Sequence, residues 1–186
     1  MFDMDSVEDA IRRIIEAIGE APQREGLRQT PRRVAEMYRE VFSGLTMDAR
    51  QALTTEFEEG HQGLVMVKDI PFFSMCEHHF LPFIGAAHVG YLADGRIVGV
   101  SKVARLVEAL ARRPQVQERL TTQVADHMWE ALHPKGVAVI LRAEHLCMTI
   151  RGVRKPGTQV VTSALRGQFC HDPAAREEFM ALVGSA

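Results

Sequence analysis

Apolar residues fall on one helical face near the start of the chain. Ile11, Ile14, Ile15 and Ile18 follow the i, i+3, i+4, i+7 spacing behind a Ser6-x-x-Asp9 capping box, which predicts an amphipathic helix. A second helix is expected from Thr30-Pro31, with threonine as N-cap and proline at the first helical position. Val34, Met37, Tyr38, Val41 and Phe42 form its apolar face, and Gly44 ends it. From about Gly63 the period shortens. Residues 64–67 and 83–92 read as strands, and Asp94-Gly95 reads as a hairpin turn from the second of these into 97–100. Helical spacing resumes at Ser101, the expected N-cap of a helix burying Val103, Leu106, Val107 and Leu110. It resumes again from Pro114, with Val116, Leu120, Val124 and Met128, and runs to His133-Pro134. Strands are expected at 137–141, around 147–151 and, after a Pro156-Gly157 turn, at 158–163; a short helix from about Pro173 closes the chain.

Hairpins bracketing two consecutive helices predict an α+β fold, an antiparallel sheet with helices packed on one face. The change of period divides the chain into an N-terminal helical region, residues 1–60, and a sheet-bearing domain, residues 61–186.

Composition narrows the function without specifying it. The 186 residues are 46% hydrophobic and 25% charged, the balance of a globular domain with a real core. A net charge of -2 supplies no global field for nucleic acid or an anionic membrane, so an anion site has to be built locally. The start Met1-Phe2-Asp3-Met4-Asp5 is acidic and unlike a signal peptide, and no apolar run approaches the ~20 residues of a membrane span. A cytoplasmic location is expected, with Cys76, Cys147 and Cys170 reduced and free to bind metal.

The densest chemistry is Ser74-Met75-Cys76-Glu77-His78-His79. One turn there can offer a thiolate and an imidazole to a single ion. Downstream lies His145-Leu146-Cys147; on a strand, residues two apart share a face, so both could enter the same site. Cysteine and histidine donors favour zinc. Five candidate groups for at most four positions leave a histidine over for proton transfer. Spacing alone admits either His78, on an extended backbone, or His79, on a tight turn, as partner of Cys76. Cys170 reads as a bystander.

Anion-binding candidates lie at the helix starts. Ser101-Lys102-Val103-Ala104-Arg105 and Arg32-Arg33 put cations where the macrodipole disfavours them by about 0.3–1 kcal/mol each, an arrangement that a phosphate reverses. Arg151, beside the second metal segment, is a further candidate. Glu118, in Arg113-Pro114-Gln115-Val116-Gln117-Glu118-Arg119, can accept two hydrogen bonds from adjacent N–H groups of the kind guanine presents.

Together these motifs resemble the GTP cyclohydrolase I family. The matching stretches are Cys76-Glu77-His78-His79-Phe80, Gly99-Val100-Ser101-Lys102 with Arg105, Arg113 to Thr121, His145-Leu146-Cys147-Met148 with Arg151-Gly152-Val153, and Thr30-Pro31-Arg32-Arg33-Val34-Ala35. The likeness extends from about residue 8 to residue 180. The resemblance implies zinc-dependent hydrolytic opening of the GTP imidazole ring at C8, release of formate and rearrangement to 7,8-dihydroneopterin triphosphate, the first step of tetrahydrofolate and pterin biosynthesis. It implies Cys76, His79 and Cys147 as zinc ligands. His78 and His145 are then free for proton transfer, His145 protonating N7 and His78 serving ring opening and deformylation. Glu118, with Gln117, is placed on guanine, Ser101 near the ribose or phosphates, and Lys102, Arg105, Arg151 and Arg33 on the triphosphate. The implied architecture is the tunnelling fold, in which sheets of several subunits form a barrel. The implied assembly is a homodecamer of two pentamers with active sites between subunits. Two positions depart from the common pattern: Tyr91-Leu92-Ala93-Asp94 lacks a proline after the tyrosine, and Glu36 stands where many relatives have lysine.

Two other readings compete. A nitrile reductase of the same fold needs a nucleophilic cysteine and a nicotinamide cofactor, whereas here the cysteines sit with histidines at ligand spacing. A structural zinc module for protein interaction would take four protein ligands and leave His78, Glu118 and the basic helix starts without a role.

Overall fold

Alternation along two central strands organises the molecule. In the computed structural model, which describes residues 2–53 and 56–184, β3 (Pro82–Leu92) and β6 (Gly136–His145) are antiparallel neighbours. Their odd-numbered residues Phe83, Val89, Tyr91, Val137, Val139 and Leu141 are at most 1% exposed. That face meets α3 (Val100–Ala111) and α4 (Gln117–Leu132), which bury Val103, Leu106, Val107 and Leu110 and Leu120, Val124 and Met128 against it. At about 1.5–3 kcal/mol for each large apolar side chain removed from water, this single interface dominates the stability of the fold.

The sheet is completed by β2 (Leu64–Cys76) on one side and β7 (Gln159–Gly167) on the other. A two-residue strand, β5 (Pro114–Gln115), pairs in parallel with the end of β2, at Met75 and Cys76. The opposite face of the sheet is covered at one end by α6 (Pro173–Gly184) and the turn Gln168–Cys170 before it, where Phe179 and Val183 of the helix and Phe169 of the turn pack on Leu92, Ala138 and Ile140. Ahead of the sheet, α1 (Met4–Ala17) and α2 (Thr30–Val41) form a helical pair. No helix among the described residues is long and apolar enough to cross a membrane. Met1, Thr54, Thr55, Ser185 and Ala186 lie outside the described residues.

Several expected elements differ in detail. Asp3, not Ser6, caps α1, its carboxylate accepting from Ser6 N at 3.0 Å. Gln29 precedes α2 and Gly99 precedes α3, so Thr30 and Ser101 lie within the helices they were expected to cap. Pro114 belongs to β5, and α4 begins three residues later. Asp94-Gly95 does not fold β4 (Arg96–Val98) back onto β3. Both sides of β3 are already taken by β2 and β6, so β4 pairs with β1 (Glu56–Glu58) instead. The strand expected around 147–151 is absent, because the chain leaves β6 at His145 into a single helical turn, α5 (Leu146–Thr149). β2 is far longer than the four residues expected. A bulge between Val67 and Ile70, with Asp69 at φ 56°, interrupts the apolar pattern without ending the strand.

Candidate active site

β2 ends at Cys76 and the chain reverses at once. Cys76 O accepts from His79 N at 3.3 Å and from Phe80 N at 2.8 Å, while Cys76 N donates to Leu81 O at 2.9 Å. Closing so tight a turn puts Phe80 at φ 49°, a left-handed conformation that costs a residue with a Cβ roughly 1–2 kcal/mol. Its ring packs on Phe42 at 5.4 Å and Tyr38 at 6.4 Å, which ties the turn to the end of α2. The second segment arrives from β6. Gly85, opposite Ala143, has no space for a Cβ, which would run into the main chain of Arg142 and Ala143. That close approach of the two strands precedes Phe83 opposite His145. The helical turn of α5 then carries Cys147 towards Cys76.

Cys76, His79 and Cys147 are thereby gathered, one donor atom of each lying within 4.8 Å of the others. Cys76 Sγ is 3.8 Å from His79 Nδ1. A tetrahedral ion with Zn–S of about 2.3 Å and Zn–N of about 2.0–2.1 Å separates its ligands by roughly 3.5–3.8 Å. Two thiols and an imidazole at this spacing suit zinc, and three protein donors leave the fourth position open, as catalytic sites do. His78 Nδ1 also lies 3.9 Å from Cys76 Sγ, but it is outside the three-residue group and its side chain is 64% exposed.

The surroundings tune these groups. Burial pushes the Cys147 thiol up, and the neighbouring Cys76 adds to that, so a metal cation is needed to favour the thiolate. Arg151 Nη1 donates to His79 Nε2 at 2.7 Å. Burial pushes His145 down, with the Glu118 carboxylate acting in the opposite sense. Glu77, between the two metal-site residues of the turn, accepts a two-pronged hydrogen bond from Arg119 of α4 at 2.6 and 3.1 Å. That contact holds the Glu77 carboxyl below its ordinary range.

Around the donors, Gln115 at the end of β5 and Val116, Gln117 and Glu118 leading into α4, with His78 and His145, line a cavity of about 150 Å³. This single cavity therefore joins both metal segments, both spare histidines and the expected guanine carboxylate. Gln117 is placed differently from Glu118: it is 1% exposed, with its side-chain amide turned into the protein. Lys102 and Arg105 line a separate hollow with Asp48 and Glu108. Ser101 and Arg33 are exposed, on α3 and α2. Of the residues expected to hold an anion, Arg151 is the one with a hydrogen bond to the metal group among the described residues.

Two supporting residues escaped the sequence reading. Phe83 stacks on His145 with ring centroids 4.6 Å apart and planes 6° from parallel. Gln115 accepts Glu77 N through its main-chain oxygen at 3.0 Å. Strand alternation marks Phe83 as buried, yet nothing local marks its partner, which lies one strand away.

The chain is similar in sequence to known proteins over nearly its whole length. The family model described as GTP cyclohydrolase I matches residues 7–184. "GTP cyclohydrolase 1" of Caldanaerobacter subterraneus subsp. tengcongensis is 59% identical over 186 residues, covering 100% of this chain and 99% of that protein. "GTP cyclohydrolase 1" of Dehalococcoides mccartyi strain BAV1 is 55% identical over 185 residues, covering 98% of each. Among solved structures, the apo form of the archaeosine synthase QueF-Like shares 17% identity at a TM-score of 0.45, over 56% of this chain and 94% of that one.

Proposed function

The chain belongs to the GTP cyclohydrolase I family, and from that premise we propose how its residues divide the work. The family reaction is hydrolytic opening of the GTP imidazole ring at C8, release of formate and rearrangement to 7,8-dihydroneopterin triphosphate. Zinc is its cofactor, and Cys76, His79 and Cys147 are positioned to hold it. Bound there, zinc supplies Lewis acidity that brings the pKa of a water down to about 7, giving a nucleophile for C8 at neutral pH.

The protein residues supply the rest. His145, at the end of β6, gives a proton to N7 and makes C8 electrophilic; its lowered proton affinity makes it a ready donor once charged. His78, exposed at the mouth of the cavity, moves protons as the ring opens and formate departs. Glu118, in the first turn of α4, accepts from guanine N1–H and the exocyclic amine. Ser101 faces the ribose or phosphates, and Lys102, Arg105, Arg151 and Arg33 hold the triphosphate. Neither α2 nor α3 has an acidic residue in its first turn, so the helix starts themselves present no carboxylate to an anion, while Asp48 and Glu108 share the hollow of Lys102 and Arg105.

We read the working enzyme as a homodecamer of two pentamers with its sites between subunits. Two observations support this. The cavity of about 150 Å³ is smaller than the roughly 300–1,000 Å³ of ligand sites, and Lys102 and Arg105 line a different hollow of the same chain. Among the described residues, β7 pairs only with β6, and β2 is paired on its outer side only at Met75 and Cys76, which leaves two sheet edges for neighbouring copies. In this reading residues 61–186 form the catalytic tunnelling-fold domain, residues 1–60 the helical region before it, and the enzyme works in the cytoplasm.

The observation that carries the assignment is the convergence of Cys76, His79, Cys147, His145 and Glu118 on one cavity. Incubating the metal-replete protein with GTP should release formate and generate pterin fluorescence, and chelation should abolish both. Absence of turnover by zinc-loaded protein would overturn the assignment, and turnover that survives complete zinc removal would overturn the metal's role.

A further inference from the structure

Gln117 sits in a closed set of hydrogen bonds whose directions can be worked out. Thr121 Oγ1 lies 2.7 Å from the main-chain oxygen of Gln117, which can only accept, so the Thr121 proton is spent there. Thr162 Oγ1 lies 2.6 Å from Thr121 Oγ1 and must therefore donate its own proton to it. Towards Gln117, Thr162 Oγ1 is left as an acceptor at 3.1 Å, alongside the carbonyls of Leu141 at 3.1 Å and Val160 at 3.0 Å. Three acceptors converge on one end of the side-chain amide, so that end is the nitrogen. Flipping the amide would set its oxygen about 3 Å from two carbonyl oxygens, with no hydrogen between them, on a side chain that is 1% exposed.

The amide oxygen is thus forced to the other side, 2.8 Å from His145 Nε2. It can only accept, so His145 Nε2 carries a hydrogen. Phe83, stacked parallel on the ring, holds its plane from the side. We propose that Gln117 is a positioning residue that fixes His145 as the Nε2–H tautomer, leaving Nδ1 as the nitrogen that receives and gives the catalytic proton. This rests on the reading of His145 as proton donor to N7. It assigns the Gln117 side chain to the histidine rather than to guanine, which remains the partner of Glu118.

Neutron diffraction from deuterated, zinc-loaded enzyme without nucleotide, above neutral pH, reads the arrangement directly and needs no variant. Deuterium on His145 Nε2, a bare Nδ1 and the Gln117 nitrogen facing Leu141 and Val160 are expected. Deuterium on Nδ1 alone, or a reversed Gln117 amide, would overturn the proposal. Kinetics supply the second arm: Gln117→Met should retain zinc and keep the KM for GTP within about twofold while kcat falls about tenfold or more, the scale of a misoriented catalytic group. A raised KM with kcat preserved would instead make Gln117 a base-binding residue. Failure of the underlying reading looks different, since His145→Ala would then keep opening the ring whatever the neutron map shows.

Discussion

Replacing Phe83 with leucine isolates the wall behind His145. Phe83 is 0% exposed and makes two aromatic contacts, a stack on His145 at 4.6 Å and an edge contact with Phe72 at 6.0 Å. Each such pair contributes about 0.5–1.5 kcal/mol beyond its buried area. Phe83→Leu keeps most of the apolar volume and loses both pairs, so unfolding stability should fall by roughly 1–3 kcal/mol. Zinc content should not change, because Cys76, His79 and Cys147 are held by the turn and by α5. Turnover should fall further than stability suggests, since a displacement of about 1 Å can cost on the order of 100-fold in rate. The assay pairs a denaturant midpoint with single-turnover formate release, and Phe72→Leu serves as a control that removes only the contact away from His145. Equal turnover in Phe83→Leu and Phe72→Leu would refute the claim that the stack positions the catalytic ring.

Three further outcomes are expected. Glu118→Gln should raise the KM for GTP by about 10-fold or more, as loss of a charge-assisted pair of hydrogen bonds costs about 1.5–3 kcal/mol; an unchanged KM would remove Glu118 from the base site. His88 is buried on the other face of the sheet, and burial together with Arg142 and Lys68 lowers its pKa, against the opposing pull of Asp69. The folded state therefore resists protonation, so its stabilising contribution is full above an unfolded pKa of about 6.5 and is lost as pH falls below it. The melting temperature should drop on acidification through that range, and His88→Gln should flatten the drop; an unchanged slope would show that His88 is not responsible. Finally, co-expressing His145→Ala chains with Lys102→Ala chains should recover part of the activity that each lacks alone, because hybrid interfaces can then contain one intact site. No recovery would contradict sites built between subunits.

Periodicity exposed much of the framework. The buried faces of α3 and α4 were legible because Val103, Leu106, Val107 and Leu110 and Leu120, Val124 and Met128 repeat at helical spacing, and each meets the sheet. The second half of β2 was not, since Lys68-Asp69 at the bulge and Pro71 beyond it break the strand pattern locally while the pairing with β3 persists. β4 was misassigned because a turn signal specifies a reversal but not which strand is free to receive it. At the site, the spacing of cysteines and histidines announced a metal, yet His145 and Cys147 converge by a strand end followed by a helical turn, not by sharing a strand face. The work of Gln117 was beyond local reading, because its partners Leu141, Val160 and Thr162 lie 24, 43 and 45 residues further along the chain.

The division of labour around the ion is tested most directly by measuring zinc content and formate release together in His145→Ala and Cys147→Ala. His145→Ala should bind zinc at the level of the unsubstituted enzyme and release no formate, whereas Cys147→Ala should lose the zinc and, with it, turnover. Zinc lost from His145→Ala, or retained with full activity in Cys147→Ala, would contradict the account.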